Sequence, residues 1–335
     1  MVDSSFKQTF HSSHPSYYNF ATQYFLMNEI SLGIHGGAGT ILQSSMTPEK
    51  EKSYSDGLRM ALDTGYALLE QGHTALDAVE AAVASLEDCP HFNAGKGSVF
   101  TSEGTHEMDA SIMEGQSLQA GAVSAISGVK NPIRLARLVM EQSGHVFLSG
   151  KGAEAFAKRM KTELREADYF HDDFRHAQWL EVKDTDQFQL DHSATKEQKF
   201  GTVGAVALDR HGNVAAATST GGMTNKQFGR VGDSPMIGAG NYANNNTCAV
   251  SCTGSGEFFI RGVVAYDVSC LMEYKELSLV EACKEVIQNR LPKIGGDGGL
   301  IAADTKGNLA LEFNTDGMYR GQRNSSGLNE IAIYK

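Results

Sequence analysis

The stretch TVGAVALDRHGNVAAATST, residues 202–220, contains two apolar runs separated by one short turn. VGAVAL (203–208) and VAAAT (214–218) flank DRHGN (209–213), and continuous apolar runs around a turn predict an antiparallel hairpin buried on both faces. Between Leu300 and Phe313 the segments LIAAD and LALEF repeat this pattern around TKGN. Because a sheet buried on both faces must be covered, the hairpins predict flanking helices.

Helix signals lie in both the first and the last part of the chain. Thr47 and the proline after it predict an N-terminal cap and a first helical turn, and Gly72 ends the apolar-faced segment that follows. Similar signals predict helices that begin after Thr74 and after Asn131, and a capping serine begins one over 278–290. A segment that is apolar nearly all round predicts a further helix over 258–272. Hairpins with helices on two sides indicate an α+β fold with four layers, in the order helix, sheet, sheet, helix.

The first patterned block runs from about residue 28 to residue 158. It opens with a predicted strand, Ile30 to Ile34, and a glycine-rich turn over His35 to Gly39. Strand-like segments follow near 98–102, 107–113 and 119–126.

Composition and charge exclude several classes of function. The 335 residues carry a net charge of −11 without a cluster of Lys and Arg, which argues against a nucleic-acid partner. No apolar stretch approaches the ~20 residues that a membrane helix needs, so no membrane partner is expected. The five cysteines are an odd number without paired spacing, which favours a reducing compartment and a cytoplasmic location.

Two segments have little periodicity. Residues 1–27 lack a basic start and a sustained apolar core, so we expect a dispensable extension rather than a signal peptide. From about 159 to 201 the chain is rich in charge and has no sustained apolar face, which predicts a mobile surface linker. This linker ends where the first hairpin begins, at Gly201 and Thr202.

A threonine in this position suggests a specific chemistry. A threonine hydroxyl is a weak nucleophile that needs a base beside it. Cleavage of the Gly201–Thr202 bond would free an α-amino group with an intrinsic pKa of ~7.7 to 8.0, so Thr202 would carry both nucleophile and base. Gly201 can adopt the backbone angles that a strained scissile peptide requires. On the dipeptide alone, a β-branched residue starting a strand is the simpler interpretation.

The motifs around Thr202 resemble those of one known family. In chain order they are HGGAG (35–39), FNAGKGSVF (92–100), HEMDASIM (106–113), AGAVSAI (120–126), NPIRLARLVM (131–140), GTVGAVALD (201–209), TSTGGMTNK (218–226), GRVGDSP (229–235), GAGNYA (238–243) and CTGSGE (252–257). From Glu29 to about Arg320 the chain resembles the plant-type asparaginases and isoaspartyl aminopeptidases, which are threonine peptidases among the N-terminal nucleophile hydrolases. The resemblance implies self-cleavage before Thr202, an αββα fold built from an α subunit (28–201) and a β subunit (202–335), and a dimer of such heterodimers.

The resemblance also implies a substrate class. Arg230 suits a substrate α-carboxylate, which it can grip with two hydrogen bonds, and Asp233 suits the α-ammonium group. A simple salt bridge between the two is the alternative. A substrate whose α-carboxylate and α-ammonium groups are both bound can be cleaved only at the bond on its β-carboxyl group. The expected substrates are therefore L-asparagine and β-aspartyl (isoaspartyl) dipeptides. Small molecules are therefore the expected partners.

Further site residues follow from the resemblance alone. Thr220 matches a threonine whose hydroxyl orients and polarises the nucleophile. Thr253 and the N–H of Gly254 match the oxyanion hole, and the carbonyl of Gly256 matches a second ligand of the substrate ammonium. Asn93 matches an asparagine near the nucleophile.

No cofactor is expected for catalysis, but the resemblance implies a structural sodium ion. The segment 86–96 resembles a loop that wraps sodium with main-chain carbonyl oxygens. The implied ligands are those of Leu86, Glu87, Cys89, Phe92, Ala94 and Lys96.

Alternative functions remain open on the sequence. Gly201 and Gly221 stand where glycosylasparaginases usually have Asp and Asn, which favours small β-aspartyl substrates over glycosylated asparagine. The turn TGSGE (253–257) could cradle a phosphate in an uncleaved nucleotide-binding module, although no P-loop lysine follows. His171 and His176 could take part in a zinc site, but they lie in the linker without partner ligands. An uncleaved, inactive family member that only binds its ligand is a further alternative.

Overall fold

The computed structural model describes residues 29–185 and 201–335. The expected extension, residues 1–27, lies outside the described residues, and so does the part of the expected linker from 186 to 200.

The first sheet has eight strands and takes residues from both sides of Thr202. Its strands before Thr202 are β1 (Ser31–Gly39), β2 (Met108–Glu114), β3 (Ala120–Ile126) and β4 (Phe147–Ser149). Those after it are β5 (Val203–Leu208), β6 (Val214–Thr220), β11 (Gly317–Asn324) and β12 (Asn329–Tyr334). The order across the sheet is β12-β11-β1-β5-β6-β2-β3-β4. All neighbours are antiparallel except β3 and β4.

The second sheet has four antiparallel strands, in the order β10-β9-β8-β7. They are β7 (Asn241–Ala243), β8 (Cys248–Gly254), β9 (Gly298–Asp304) and β10 (Leu309–Phe313). Both predicted hairpins are therefore confirmed, one in each sheet.

Helices cover the outer face of each sheet. The first sheet is covered by α1 (Pro48–Gln71), α2 (Ala75–Glu87) and α3 (Pro132–Gln142), and α4 (Gly150–Arg159) packs against β3. The second sheet is covered by α8 (Val264–Lys275) and α9 (Leu279–Lys284), and α7 (Gly256–Gly262) precedes α8. Three apolar clusters fill the spaces between these layers. The predicted four-layer α+β fold is confirmed.

The predicted helix starts are confirmed by hydrogen bonds. The hydroxyl of Thr47 accepts the N–H of Lys50, and Gly72 ends α1 in the left-handed region. Thr74 forms a capping box with Asp77, and Ser278 forms one at the start of α9.

Several local predictions are wrong. His35–Gly39 continues β1 instead of turning, because Gly37 (φ 116°) absorbs a bulge and the strand resumes its pairing with β11. Residues 98–102 form no strand, and Thr101 makes only an isolated bridge to Lys226. The predicted helix 258–272 is broken at Val263, which is left-handed with φ 48°. After α9 the chain continues as a π-helix (Glu285–Arg290) and a 3₁₀-helix (Leu291–Ile294).

Part of the expected linker is helical and packed. It contains α5 (Ala167–Phe170) and α6 (Asp173–Val182), in which Phe170, Arg175 and Val182 are buried. The expectation of a mobile surface segment is therefore wrong for 159–185. The average composition of 159–201 is polar because only a few of its residues face inward.

Candidate active site

Thr202 immediately precedes β5 and lies at one end of the central hairpin. Val203 pairs with Ser219 across β5 and β6, so the next residues outward on the two strands are Thr202 and Thr220. Both are buried, with exposed fractions of 6% and 3%, yet both line one pocket. The hairpin register therefore brings the two predicted hydroxyl groups to the same place.

The hydroxyl of Thr202 contacts a residue that the sequence analysis did not single out. Its Oγ1 lies 3.1 Å from Oγ of Ser234, and either atom can donate. Ser111 on β2 holds this serine by donating to its carbonyl oxygen at 2.6 Å. Ser234 stands in the quoted motif GRVGDSP, directly after Asp233, so the motif contained the signal.

Asn93 holds the backbone that follows Thr220. Its Nδ2 donates to the carbonyl of Gly222 at 2.7 Å, and its Oδ1 accepts the N–H of Val99 at 3.1 Å. The N–H of Gly222 in turn donates to Oγ1 of Thr220 at 3.0 Å. Asn93 thus links its own loop to the backbone that follows Thr220.

There is no space for a side chain at the glycines beside the bond between Gly201 and Thr202. A Cβ on Gly201 would lie 2.6 Å from Oγ1 of Thr253, and one on Gly37 would lie 2.6 Å from the nitrogen of Gly201. Oγ1 of Thr253 also accepts the N–H of Ala38 at 3.3 Å. The predicted oxyanion-hole threonine therefore lies against the peptide that the hypothesis requires to be cut.

Arg230 and Asp233 both lie close to Gly256. A Cβ on Gly256 would lie 2.8 Å from Oδ1 of Asp233 and 3.1 Å from Nη2 of Arg230. The ion-pair partner of Arg230 is Glu257, with Nε and Nη2 each 2.9 Å from its Oε1. The alternative of a simple Arg230–Asp233 salt bridge is therefore not what the structure shows.

Asp233 is a buried residue that lines the pocket. Its exposed fraction is 3%, and its Oδ2 has no hydrogen-bond partner within the described part of the chain. Burial raises the pKa of Asp233 to about 7, although the nearby charge of Arg230 opposes the rise. A cationic group bound in the pocket beside Asp233 would stabilise the ionised form.

The expected linker contributes to the same pocket. Arg175 and Gln178, one helical turn apart on α6, both line it. The guanidinium of Arg175 donates from Nη1 to Oε1 of Gln178 at 3.4 Å. Sequence reasoning missed both residues because the segment has no sustained apolar period.

The predicted sodium loop is tightly curled around its own carbonyl groups. A Cβ on Gly95 would lie 2.4 Å from the carbonyl oxygen of Glu87, and one on Gly97 would lie 2.2 Å from that of Phe92. The carbonyls of Phe92 and Ala94 each accept one backbone N–H, from Ala94 and Gly97, so each keeps a second lone pair. Clustered neutral carbonyl oxygens are the donor set that a hard monovalent cation prefers, so the loop fits sodium.

The alternative sites are poorly supported. Within residues 29–185 and 201–335 there is no cluster of three His, Cys, Asp or Glu side chains that could hold a metal ion. The rings of His171 and His176 lie 5.1 Å apart and pack edge-on against Phe100. The turn 253–257 lies beside both Asp233 and Arg230, and no P-loop lysine follows it in the sequence.

The two glycines that depart from the glycosylasparaginase pattern have local reasons. A Cβ on Gly221 would lie 2.4 Å from Oδ1 of Asn93, and Gly201 is equally confined by Thr253. Larger residues at these positions would require the pocket wall to move.

In the described residues no helix is both long and apolar enough to cross a membrane.

The model of a protein family described as "Asparaginase" matches residues 28–333. The chain is 52% identical to an isoaspartyl peptidase of Escherichia coli over 312 aligned residues. The aligned part makes up 92% of this chain and 97% of that protein. The chain is 46% identical to a putative isoaspartyl peptidase/L-asparaginase of Dictyostelium discoideum, over 92% of this chain and all of that protein. An isoaspartyl peptidase/L-asparaginase of Rattus norvegicus is 43% identical, over 85% of this chain and 83% of that protein.

Proposed function

This chain belongs to the asparaginase family, and on that premise we propose that it is a hydrolase of L-asparagine and of β-aspartyl (isoaspartyl) dipeptides. The observation that carries the proposal is the meeting of Thr202, Arg230 and the buried carboxylate of Asp233 in one pocket. That combination suits a nucleophile acting on a free α-amino acid head group. It also matches the activity in the names of the similar proteins.

The enzyme matures by cleavage of its own chain between Gly201 and Thr202. The freed α-amino group of Thr202 is the base that takes the proton from its own hydroxyl, and Ser234 and Thr220 orient that hydroxyl. Before cleavage the same nitrogen is an amide and cannot act as a base. The close approach of Gly37, Gly201 and Thr253 supports a scissile peptide held in one geometry.

Head-group binding places the labile bond at Thr202. Arg230 takes the α-carboxylate of the substrate, while Asp233 and the carbonyl of Gly256 take the α-ammonium. Because Asp233 is ionised when it pairs with a cation, binding weakens as pH falls below about 7.

The reaction has two steps. The hydroxyl of Thr202 attacks the β-carbonyl carbon, and the hydroxyl of Thr253 and the N–H of Gly254 stabilise the oxyanion, each donor typically contributing about 2.7 to 4 kcal/mol. The leaving amine takes the proton, departing as ammonia or as an amino acid. Water then hydrolyses the ester on Thr202 and releases aspartate.

Three further assignments belong to this proposal. The carbonyls of Leu86, Glu87, Cys89, Phe92, Ala94 and Lys96 hold a structural sodium ion, which supplies no chemistry to the reaction. The mature protein is a dimer of αβ heterodimers. It acts in the cytoplasm, which the five cysteines support because none of them is in a disulfide.

The variant Thr202→Ala tests the proposed mechanism. We expect it to remain a single chain without hydrolase activity, while Thr202→Ser, which keeps a hydroxyl and an amine, still cleaves itself and hydrolyses asparagine at a reduced rate. Denaturing mass spectrometry and ammonia release from L-asparagine are the measurements. Fragments that end at Gly201 in the alanine variant, or full activity of an uncleaved wild-type chain, would contradict the proposal.

A further inference from the structure

A cluster of polar side chains is buried between the two sheets, and the mechanism above gives most of it no task. Its fully buried members come from both sheets and are His35, Ser111, Thr218, Asn241 and Ser251. A buried polar group costs free energy unless it is hydrogen-bonded. The contacts of these five residues therefore show what the cluster holds in place.

Thr218 makes three hydrogen bonds through one hydroxyl group. Its Oγ1 lies 2.7 Å from Oγ of Ser251 and 3.2 Å from the carbonyl oxygen of Gly240. It also accepts an N–H of Asn241 at 3.2 Å. A hydroxyl has one proton and a carbonyl oxygen can only accept, so Thr218 donates to Gly240 and accepts from Ser251. Ser251 in turn accepts from Nε2 of His35, which is 2.9 Å away.

The bond from Thr218 ends beside the head-group site. Residues 229–240, called the binding loop below, contain Arg230 and Asp233. A Cβ on Gly240 would lie 2.5 Å from the carbonyl oxygen of Asp233 and 2.9 Å from its Oδ2. The backbone that Thr218 holds at Gly240 is therefore packed directly against the Asp233 carboxylate.

A second bond holds the binding loop beside the nucleophile. Oγ of Ser111 donates to the carbonyl of Ser234 at 2.6 Å, and Oγ of Ser234 lies 3.1 Å from Oγ1 of Thr202. The carbonyl of Ser111 accepts from Nδ2 of Asn241 at 3.1 Å. The same Nδ2 donates to Thr218, so one amide group connects the two points at which the loop is held.

We propose that Thr218 and Ser111 are positioning residues that fix the binding loop at two separate points. Thr218 sets the place of Asp233, and Ser111 sets the place of Ser234 and hence of the Thr202 hydroxyl. Because both side chains are fully buried, they act through the loop and not on the substrate. The inference rests on the proposed function and adds to it the groups that align its two halves.

The two points should affect different kinetic constants. Thr218→Val keeps the shape of the side chain but removes the hydroxyl, so we expect KM for L-asparagine to rise about tenfold while self-cleavage is unchanged and kcat falls less than about threefold. Thr218→Ser keeps the hydroxyl and should return KM to the wild-type range. The control is Thr247→Val, which removes a buried hydroxyl bonded to Ser269 at 2.7 Å, at the opposite end of β8 from Thr253.

Ser111→Ala should act on the nucleophile instead. We expect self-cleavage and kcat to fall about tenfold each, while KM changes less than about threefold, because Ser234 loses the bond that holds it beside Thr202. Ser269→Ala, which removes a fully buried hydroxyl on α8, is the control. Time courses on denaturing gels and ammonia release from L-asparagine are the measurements.

Thermal unfolding separates positioning from folding. Each of the Val and Ala variants removes one buried hydroxyl, so all four should lose similar stability, and only the two at positions 218 and 111 should change cleavage or kinetics. Wild-type kinetics and cleavage in both of these variants, or the same constant altered in both, would overturn the inference. Failure of both to fold, when both controls fold, would also overturn it, because the cluster would then serve folding alone. A wild type that hydrolyses neither asparagine nor an isoaspartyl dipeptide would instead contradict the proposed function.

Discussion

Gly256 is the residue that sets the spacing of the head-group site. The Cβ of a side chain there would lie 2.8 Å from Oδ1 of Asp233 and 3.1 Å from Nη2 of Arg230. We expect Gly256→Ala to raise KM for asparagine at least tenfold while the chain still cleaves itself, because the methyl group displaces the two charged groups that bind the substrate. Gly152→Ala is the control, since nothing lies within 4 Å of the added Cβ. Unchanged KM in Gly256→Ala would remove the assigned roles of Arg230 and Asp233.

The burial of Asp233 also predicts a dependence of stability on pH. Its pKa rises from 3.8 to about 7 in the folded chain, so in the ligand-free protein the unfolded state loses this proton first as pH increases. Relative to Asp233→Asn, the wild type should therefore lose stability as pH rises from about 4 to about 7. Urea unfolding of both proteins across this range measures the difference. The same comparison with Asp168→Asn, which alters an exposed carboxylate of α5, controls for the loss of a surface charge.

The sequence could predict the residues of the pocket only where they lie in recognisable motifs. Thr202, Thr220, Arg230 and Asp233 lie in quoted motifs, and the fold brings all four to one pocket. Arg175 has no local pattern, because its place in the pocket depends on how α6 packs. The contact that fixes α6, in which Trp179 stacks on Phe100 with centroids 5.8 Å apart, joins residues far apart in sequence.

At the scale of elements, strands were predictable where both faces are buried. The runs that became β5, β6, β9 and β10 are continuous and apolar, and all four were found. β11 was missed because its outer half is polar, with Arg323 stacked 4.1 Å over the ring of Tyr66 and paired with acidic residues of α1. Side chains contributed by a helix thus stabilise a strand that has no apolar period of its own.

The bulge of strand β1 at Gly37 lies next to the proposed scissile bond, so a substitution at this residue should affect self-cleavage. Gly37 has φ 116°, and a Cβ there would lie 2.6 Å from the nitrogen of Gly201. We expect Gly37→Ala to slow self-cleavage at least tenfold, since the strand would have to move away from the peptide. Gly212→Ala adds the same methyl group at a residue with φ 80° that has nothing within 4 Å, so it controls for backbone strain. Equal cleavage rates on a time course of denaturing gels would contradict this role for β1.

At the scale of the whole molecule, the proposed subunits are interleaved within one sheet. β1, from the α subunit, lies between β11 and β5 of the β subunit, and β6 pairs with β2 of the α subunit. Cleavage at Gly201 breaks a single peptide bond and leaves these ladders intact. The apolar cluster under α1, α2 and α3 also draws residues from both sides of the cut.

We therefore expect the two fragments to stay associated after cleavage and to unfold together. Native size-exclusion chromatography should give one peak that contains both fragments, and calorimetry should give one transition, because separating the subunits would expose unpaired strand edges and buried apolar surface. The uncleaved Thr202→Ala chain is the control and should elute at the same volume. Elution of free fragments, or two transitions in the cleaved protein alone, would show that the interleaved sheet does not hold the subunits together.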